Sequence, residues 1–309
     1  MSYDQLMEHA WTIKIKAVNR AISKKENDPA FARYSGPEGY FADIPDRWQA
    51  YTGLPDPATF DAPIAHLSKV MNDLSPGQNT SDPVNKKDIY PANVQFSKIT
   101  TAGGYMLGWN GSAASAFKQH FLDPFPYVLY NQFVLVSMLK STLQATQALW
   151  ASARKDLDGI AEATIAALDN DPCCDPNKWS FEFTIVSAVA TVGGVAVTAL
   201  TEGAAAPLAA PMILATVDAA ASVTAAKPPD SIKDNKTGNT AIQIVNLMWD
   251  GLGKVCDQFQ QTEKLIKDTI DALERDVTSR PDLFVSKRPA MADATAGDVT
   301  GGAYLGDHD

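Results

Sequence analysis

The chain has 309 residues, 45% hydrophobic and 20% charged, with a formal net charge of -10 and a pI near 4.9. That is enough apolar chain for one large domain or two smaller ones, and it excludes wholesale disorder. Its basic pairs, Lys24-Lys25 and Lys86-Lys87, are isolated within an acidic background. Nothing there neutralises a run of phosphates, so no nucleic acid is expected as a partner.

The opening segment MSYDQLMEHAWTIKIKAV is polar and periodic, unlike the charged start, apolar run and small-residue cleavage site of a secretory signal. The chain is expected to be cytoplasmic, or exported by a route that needs no cleaved signal. Between residues 3 and 25, Leu6, Ala10, Ile13 and Ala17 recur at helical spacing, with Trp11, Ile15, Val18 and Ile22 on an adjoining stripe. An amphipathic helix is predicted. From Asn27 to Pro63, Pro29, Gly36-Pro37, Pro45, Gly53, Pro55 and Pro57 argue against long regular structure. The aromatics there, among them Phe31, Tyr40, Phe41 and Trp48, predict a coil packed onto the body. A short helix over Pro63 to Leu74, a loop over Ser75 to Asp82 and a further helix from about Ile89 to Leu107 follow, with Pro91 and Gly103-Gly104 working against the last.

The next segment is Gly108-Trp109-Asn110-Gly111-Ser112-Ala113-Ala114-Ser115-Ala116-Phe117. Asn-Gly favours a turn, and Gly111 is suited to a positive φ that ends one helix before Ser112 caps the next. Trp109 would fold its ring over the bend. Ala113, Ala114 and Ala116 allow two helices to approach closely, which predicts a tight helix–turn–helix.

From Tyr127 to Leu168, Leu129, Val136, Leu139, Leu143, Trp150, Leu157 and Ile160 keep a three-four spacing. One helix of about 42 residues is predicted, roughly 60 Å long if straight. From Thr240 to Val277, Val245, Met248, Leu252, Val255, Phe259, Ile266, Ile270, Leu273 and Val277 predict a second, with Glu263/Lys267 and Lys264/Asp268 outward. Between them, Ile185 to Ala226 carries only Glu202 and Asp218 as charges, and splits into two apolar arms around Thr-Glu-Gly-Ala-Ala-Ala-Pro. The arms, centred on Val192, Gly193, Gly194 and Val195 in the first, are at or below membrane-spanning length.

The predicted fold is all-α: an elongated antiparallel helical bundle with a helix–turn–helix at Trp109 and an apolar helical hairpin insert. Its parts are an N-terminal helical region (1–178), the Ala/Gly/Val-rich hairpin (179–236), a long C-terminal helix of the same bundle (237–280) and a flexible acidic tail (281–309).

Catalytic and metal patterns are missing from the sequence. His9, His66, His120 and His308 are scattered outside any H-E-x-x-H spacing, and neither a G-x-S-x-G elbow nor a phosphate-binding loop occurs. The acids and thiols of Asp169-Asn-Asp-Pro-Cys-Cys-Asp-Pro read as a capped loop between helices. Cys173 and Cys174 are adjacent, so a bond between them is strained; the three cysteines are expected to be reduced, or to form one bridge to Cys256. No enzyme activity, metal or cofactor is expected.

The G-W-x-G-x-A-A-x-A-F segment resembles the W-x-G (ESAT-6-like) family of type VII (ESX) secretion substrates, in which a Trp-x-Gly turn joins two antiparallel helices. The long helices and the apolar insert look like the longer actinobacterial members. The resemblance implies Trp109, Gly111, Ala113, Ala114 and Phe117 as the structural motif. It also implies secretion or surface display without a cleaved signal peptide, and as partners a helical protein or further copies of the chain, together with the secretion machinery. The family's export signal, Tyr-x-x-x-Asp/Glu, is missing after Trp109. Tyr34-Ser-Gly-Pro-Glu38 has the spacing but lies upstream, so export would depend on a partner carrying the signal. The alternative function is an α-helical pore-forming or membrane-inserting protein that uses the apolar hairpin. Glu202 at its tip and Asp218 in its second arm work against that role.

Overall fold

The computed structural model describes residues 3–76, 80–84, 88–96, 98–99, 111–169, 178–182, 233–286 and 295. These residues are mostly helical, with two short antiparallel ribbons. They fall into two compact units, one built from Met1–Asp61, Ala145–Thr191 and Ala226–Ile266, the other from Ala62–Gln144, Val192–Ala225 and Lys267–Asp309.

The first unit begins with α1 (Tyr3–Ser23), which buries Leu6, Ala10, Ile13, Ala17 and Ala21. That is the predicted stripe. Trp11, Ile15 and Ile22 do not adjoin it in space. At about 100° per residue they lie roughly 130° around the helix, and they are exposed.

The segment expected to be coil contains three short helices, α2 (Pro29–Arg33), α3 (Pro37–Tyr40) and α4 (Ile44–Gln49), and a 3-10 turn at Pro57–Phe60. Four of the prolines that argue against long helices, Pro29, Pro37, Pro45 and Pro57, start short ones, because each stands in the first two positions, where no amide hydrogen is needed. Asp28 and Asp56 add side-chain caps, accepting from Ala30 N and Ala58 N. Gly39 is required: a β-carbon there would stand 1.8 Å from the Tyr34 carbonyl oxygen. Phe31, Phe41 and Trp48 are buried, with Phe31 edge-on to Tyr40 and Phe41 at 5.6 and 5.9 Å, so the aromatics do pack onto the body.

The predicted long helices are present as α7 (Phe125–Asp169, 45 residues) and α8 (Ala241–Ser279, 39 residues). In the first unit, Trp150 lies against Phe259 with ring centroids 4.5 Å apart. Further along, Arg20 of α1 reaches the Ala167 and Leu168 carbonyls on α7 and the Asn239 carbonyl just before α8. The two helices therefore run in opposite directions in this unit. Strands β3 (Lys178–Glu182) and β4 (Lys233–Thr237) pair antiparallel, from Lys178 opposite Thr237 to Glu182 opposite Lys233.

The second unit contains most of α5 (Asp61–Leu74), the ribbon of β1 (Thr80–Ser81) and β2 (Ile89–Tyr90), and α6 (Ser112–Phe117). The helix expected from about Ile89 is present in part, since residues 94–96 and 98–99 are helical, but its start is corrected here. Pro91 disfavours helical backbone at Tyr90, and Ile89-Tyr90 instead pairs with part of the expected 75–82 loop. Met71, Tyr90 and Phe133 form one buried cluster; Val84, Val134, Met138, Leu273 and Phe284 form another. Residues 281–284, expected to open the flexible tail, make a 3-10 turn (Pro281–Leu283) and bury Phe284. Asn131 and Gln132 donate side-chain hydrogen bonds to the Leu283 and Phe284 carbonyls at 2.9 and 2.6 Å.

On the outer face of α8, Lys267 pairs forward with Asp271 at 2.5 Å. Cys256 is free and half-buried; Cys173 and Cys174 lie outside the described residues.

The ends of the long helices in the first unit are closed by opposite charges. Arg20 is 5% exposed, and its guanidinium donates to the Leu168 carbonyl at 3.1 Å and to that of Asn239 at 3.2 Å. Glu26 accepts from the Ala241 amide at 2.9 and 3.1 Å. A cation therefore meets the C-terminal end of α7 and an anion the N-terminal end of α8, each the favourable sign for the helix dipole. Arg20→Met is expected to lower unfolding free energy by about 3 kcal/mol in urea titrations, since it orphans those carbonyls and leaves Glu26 without its cation. A loss below about 1 kcal/mol would show that the carbonyls find other partners.

Candidate functional site

Two places in the second unit could carry function: the turn entering α6, where the sequence motif lies, and a buried lysine on α7 that the motif does not include. Gly111 has φ 111° and ψ 173°, a region open in practice to glycine alone, and stands as the N-cap of α6. The cap was expected at Ser112, which is instead the first helical residue. A β-carbon at Gly111 would meet nothing within 4 Å, so the requirement for glycine is torsional and worth about 1–3 kcal/mol of avoided strain. The Ser115 amide donates to the Gly111 carbonyl at 3.1 Å, closing the first turn, and Ala114 is buried.

After Phe117 the chain continues as a π-helical turn over Lys118–Leu122, and α7 starts after Asp123-Pro124. Phe117, Phe121 and Phe125, four residues apart, form a line of rings: the first two are stacked at 5.1 Å, the next pair is tilted at 6.1 Å, and Phe96 meets Phe125 at 5.8 Å. Phe117 is thus the start of an aromatic ladder that leads into the long helix. Trp109 and the hairpin residues Val192, Gly193, Gly194 and Val195 lie outside the described residues. Ala113 belongs to α6.

The second place is centred on Lys140, 1% exposed. Its ammonium donates to Asp88 Oδ2 at 2.5 Å, to the Tyr90 hydroxyl at 2.9 Å and to Asp82 Oδ2 at 3.0 Å. Three protons meet three acceptors. Asp82 is fully buried; its Oδ1 accepts from the Val84 amide at 3.0 Å and from the Ser137 hydroxyl. Burial alone would push the Lys140 ammonium down, but the hydrogen bonds to Asp88, Tyr90 and Asp82 outweigh it and hold the pKa above the ordinary 10.5. A lysine that is protonated and saturated in this way has no lone pair to offer as base or nucleophile. Its effect is to tie both strands of the β1–β2 ribbon to α7.

The sequence held a signal for this centre: Lys140 is the only charged residue from Phe125 to Ala153. A lone charge inside so long an apolar stretch has to be paired if buried. Which residues pair with it could not be read, because Asp82 and Asp88 lie more than 50 positions away.

In the first unit, His9 stands 3.2 Å from Asp158; in the second, His66 and His120 are exposed. Cys256 donates its thiol hydrogen to the Tyr51 hydroxyl at 3.8 Å, and burial, followed by that neighbour, pushes the Tyr51 phenol up to about 12. Arg47 stacks over Trp249 at 3.7 Å. Among the described residues no three metal-ligating side chains converge.

Comparison of the chain with protein-family models, with curated proteins and with solved structures finds no match. The geometry of the Lys140 centre is therefore tested directly. Lys140→Met removes the cation paired with the buried Asp82 carboxylate and is expected to cost about 3–5 kcal/mol in chemical denaturation. Because the folded pKa is raised, the contribution of Lys140 is complete below pH 10.5 and declines as pH rises beyond it. Wild-type stability should thus fall more steeply above that pH than the variant's, and parallel curves would refute the pairing.

Proposed function

We propose that this chain is a non-enzymatic type VII secretion substrate, or a secretion-associated interaction protein, of the long W-x-G form, and that it acts by helical pairing. The observation that carries this reading is the glycine-only backbone of Gly111, placed directly at the head of a helix in the G-W-x-G-x-A-A-x-A-F segment. A W-x-G turn needs its glycine in that role. Further support comes from the two long helices, which run in opposite directions within the first unit. On this reading the chain is an antiparallel helical bundle with a helix–turn–helix at Trp109 and an apolar hairpin insert. The missing Tyr-x-x-x-Asp/Glu signal is supplied by a helical partner. Tyr34 and Glu38, which have the spacing, are exposed, but the first is the C-cap of α2 and the second lies in α3, upstream of the turn. Deleting the secretion locus is expected to retain the protein in cells. Unchanged levels in the culture supernatant would overturn the proposal.

One observation favours the second reading, insertion of residues 185–226 into a membrane. The β3–β4 ribbon ends with Glu182 opposite Lys233, so the chain leaves and returns at adjacent backbone positions, as a projecting hairpin requires. Among the described residues no helix is long and apolar enough to cross a membrane, and the apolar arms lie outside them. On this reading the wild-type protein releases dye from liposomes while a Val192→Asp/Val195→Asp variant does not. Absence of leakage from folded protein at neutral and acidic pH would dismiss it.

A further inference from the structure

Helix α1 is apolar on two faces, and only one of them is used by its own unit. The outward face presents Trp11 (50% exposed), Ile15 (56%) and Ile22 (56%), with Val18 half-buried between them. Single exposed apolar residues are ordinary, but a row of them on one helix face is not.

The spacing is specific. Glu8, Trp11, Ile15, Val18, Ile22 and Lys25 are separated by three, four, three, four and three residues, the alternation of a coiled-coil seam. The buried face has a similar alternation through Leu6, Ala10, Ile13 and Ala17, and there it packs within the unit. The outer seam has charged residues only at its two ends, an acid at the N-terminal end and a base at the C-terminal end, and both are exposed. The Lys14 ammonium stands 4.9 Å from the centre of the Trp11 ring at the seam's edge.

We infer that the outer seam of α1 pairs antiparallel with the same seam of a second copy of this chain. In an antiparallel pair each core position faces the opposite kind of core position, which fixes the register. Trp11 meets the second copy's Ile22, Ile15 meets its Val18, and Glu8 meets its Lys25. Each pair occurs twice, because the contact is two-fold symmetric. The charges are what single out this partner and direction. Parallel alignment would place Glu8 beside Glu8 and Lys25 beside Lys25, whereas the antiparallel register opposes unlike charges at both ends. Lys25 lies just past the end of α1 with φ 51°, and the Glu26 amide donates back to the Ala21 carbonyl, which holds this end of the seam in place. Two helices of this length give a contact at the small end of stable interfaces, so the dimer is reversible, with a dissociation constant roughly in the micromolar range.

This inference uses α1 alone and stands whether or not the chain is exported. Sedimentation equilibrium of the full chain over a wide concentration range is expected to show a monomer–dimer equilibrium. Ile15→Lys should leave only monomer, with an unchanged circular dichroism spectrum. Glu8→Lys and Lys25→Glu should each weaken association by about five-fold at low salt, and the double variant should return it to the wild-type value. A wild-type protein that stays monomeric throughout overturns the inference, as does a dimer indifferent to Ile15→Lys. Single charge variants that associate like the wild type, or a double variant no better than the singles, overturn the antiparallel register.

Discussion

A long helix has two ends at which backbone groups lack partners, and in the first unit two such ends are closed by one short stretch of chain. Arg20 and Glu26 stand six residues apart, around the C-terminal end of α1. One gives hydrogen bonds to the last carbonyls of α7, and the other accepts from the first amide of α8. Their side chains are both nearly inaccessible and lie 3.9 Å from each other at closest approach, so each charge also lowers the cost of burying its neighbour. The termination of α1 is part of the same construction. The chain turns through positive φ at Lys25, and this turn carries Glu26 to the start of α8. Helix propensity alone would produce two long helices with frayed ends. The paired charges select where those ends lie.

The second unit solves a related problem differently. A ribbon with only two paired positions is too short to be stable by its own hydrogen bonds. It is held because Asp82, Asp88 and Tyr90 all converge on one ammonium, while Val84 and Tyr90 contribute to apolar clusters with α7 residues. Charge fixes the register of the ribbon and apolar burial supplies the driving force. The arrangement is demanding: Asp82 has no access to water, so its charge depends on Lys140, Ser137 and the Val84 amide for compensation.

The features legible in the sequence were those set by local periodicity. The long helices appeared within a few residues of their observed ends, as did α5 and the buried stripe of α1, because a repeating apolar face states both the element and its direction. The short helices of the proline-rich segment were less legible, because proline both breaks helices and starts them; at Pro29, Pro37 and Pro57 it opens a helix or 3-10 turn. The β1–β2 ribbon and the Lys140 centre were not legible, since both depend on pairing between distant residues. At the motif, the need for a positive φ at Gly111 could be read from Asn-Gly and the following alanines. The π-helical turn between α6 and α7 has no comparable sequence signature.

The β3–β4 ribbon has a consequence for how such a chain can change over time. Its strands close off everything between residues 182 and 233, so that excursion begins and ends at one pair of facing backbone positions. Lengthening a closed loop costs conformational entropy only logarithmically, about 0.6 kcal/mol for each doubling. The pairing of the two strands is therefore little affected by the length of the segment that joins them. Insertions or deletions there cost the β3–β4 pairing little, so selection is free to change the segment's length without undoing the ribbon.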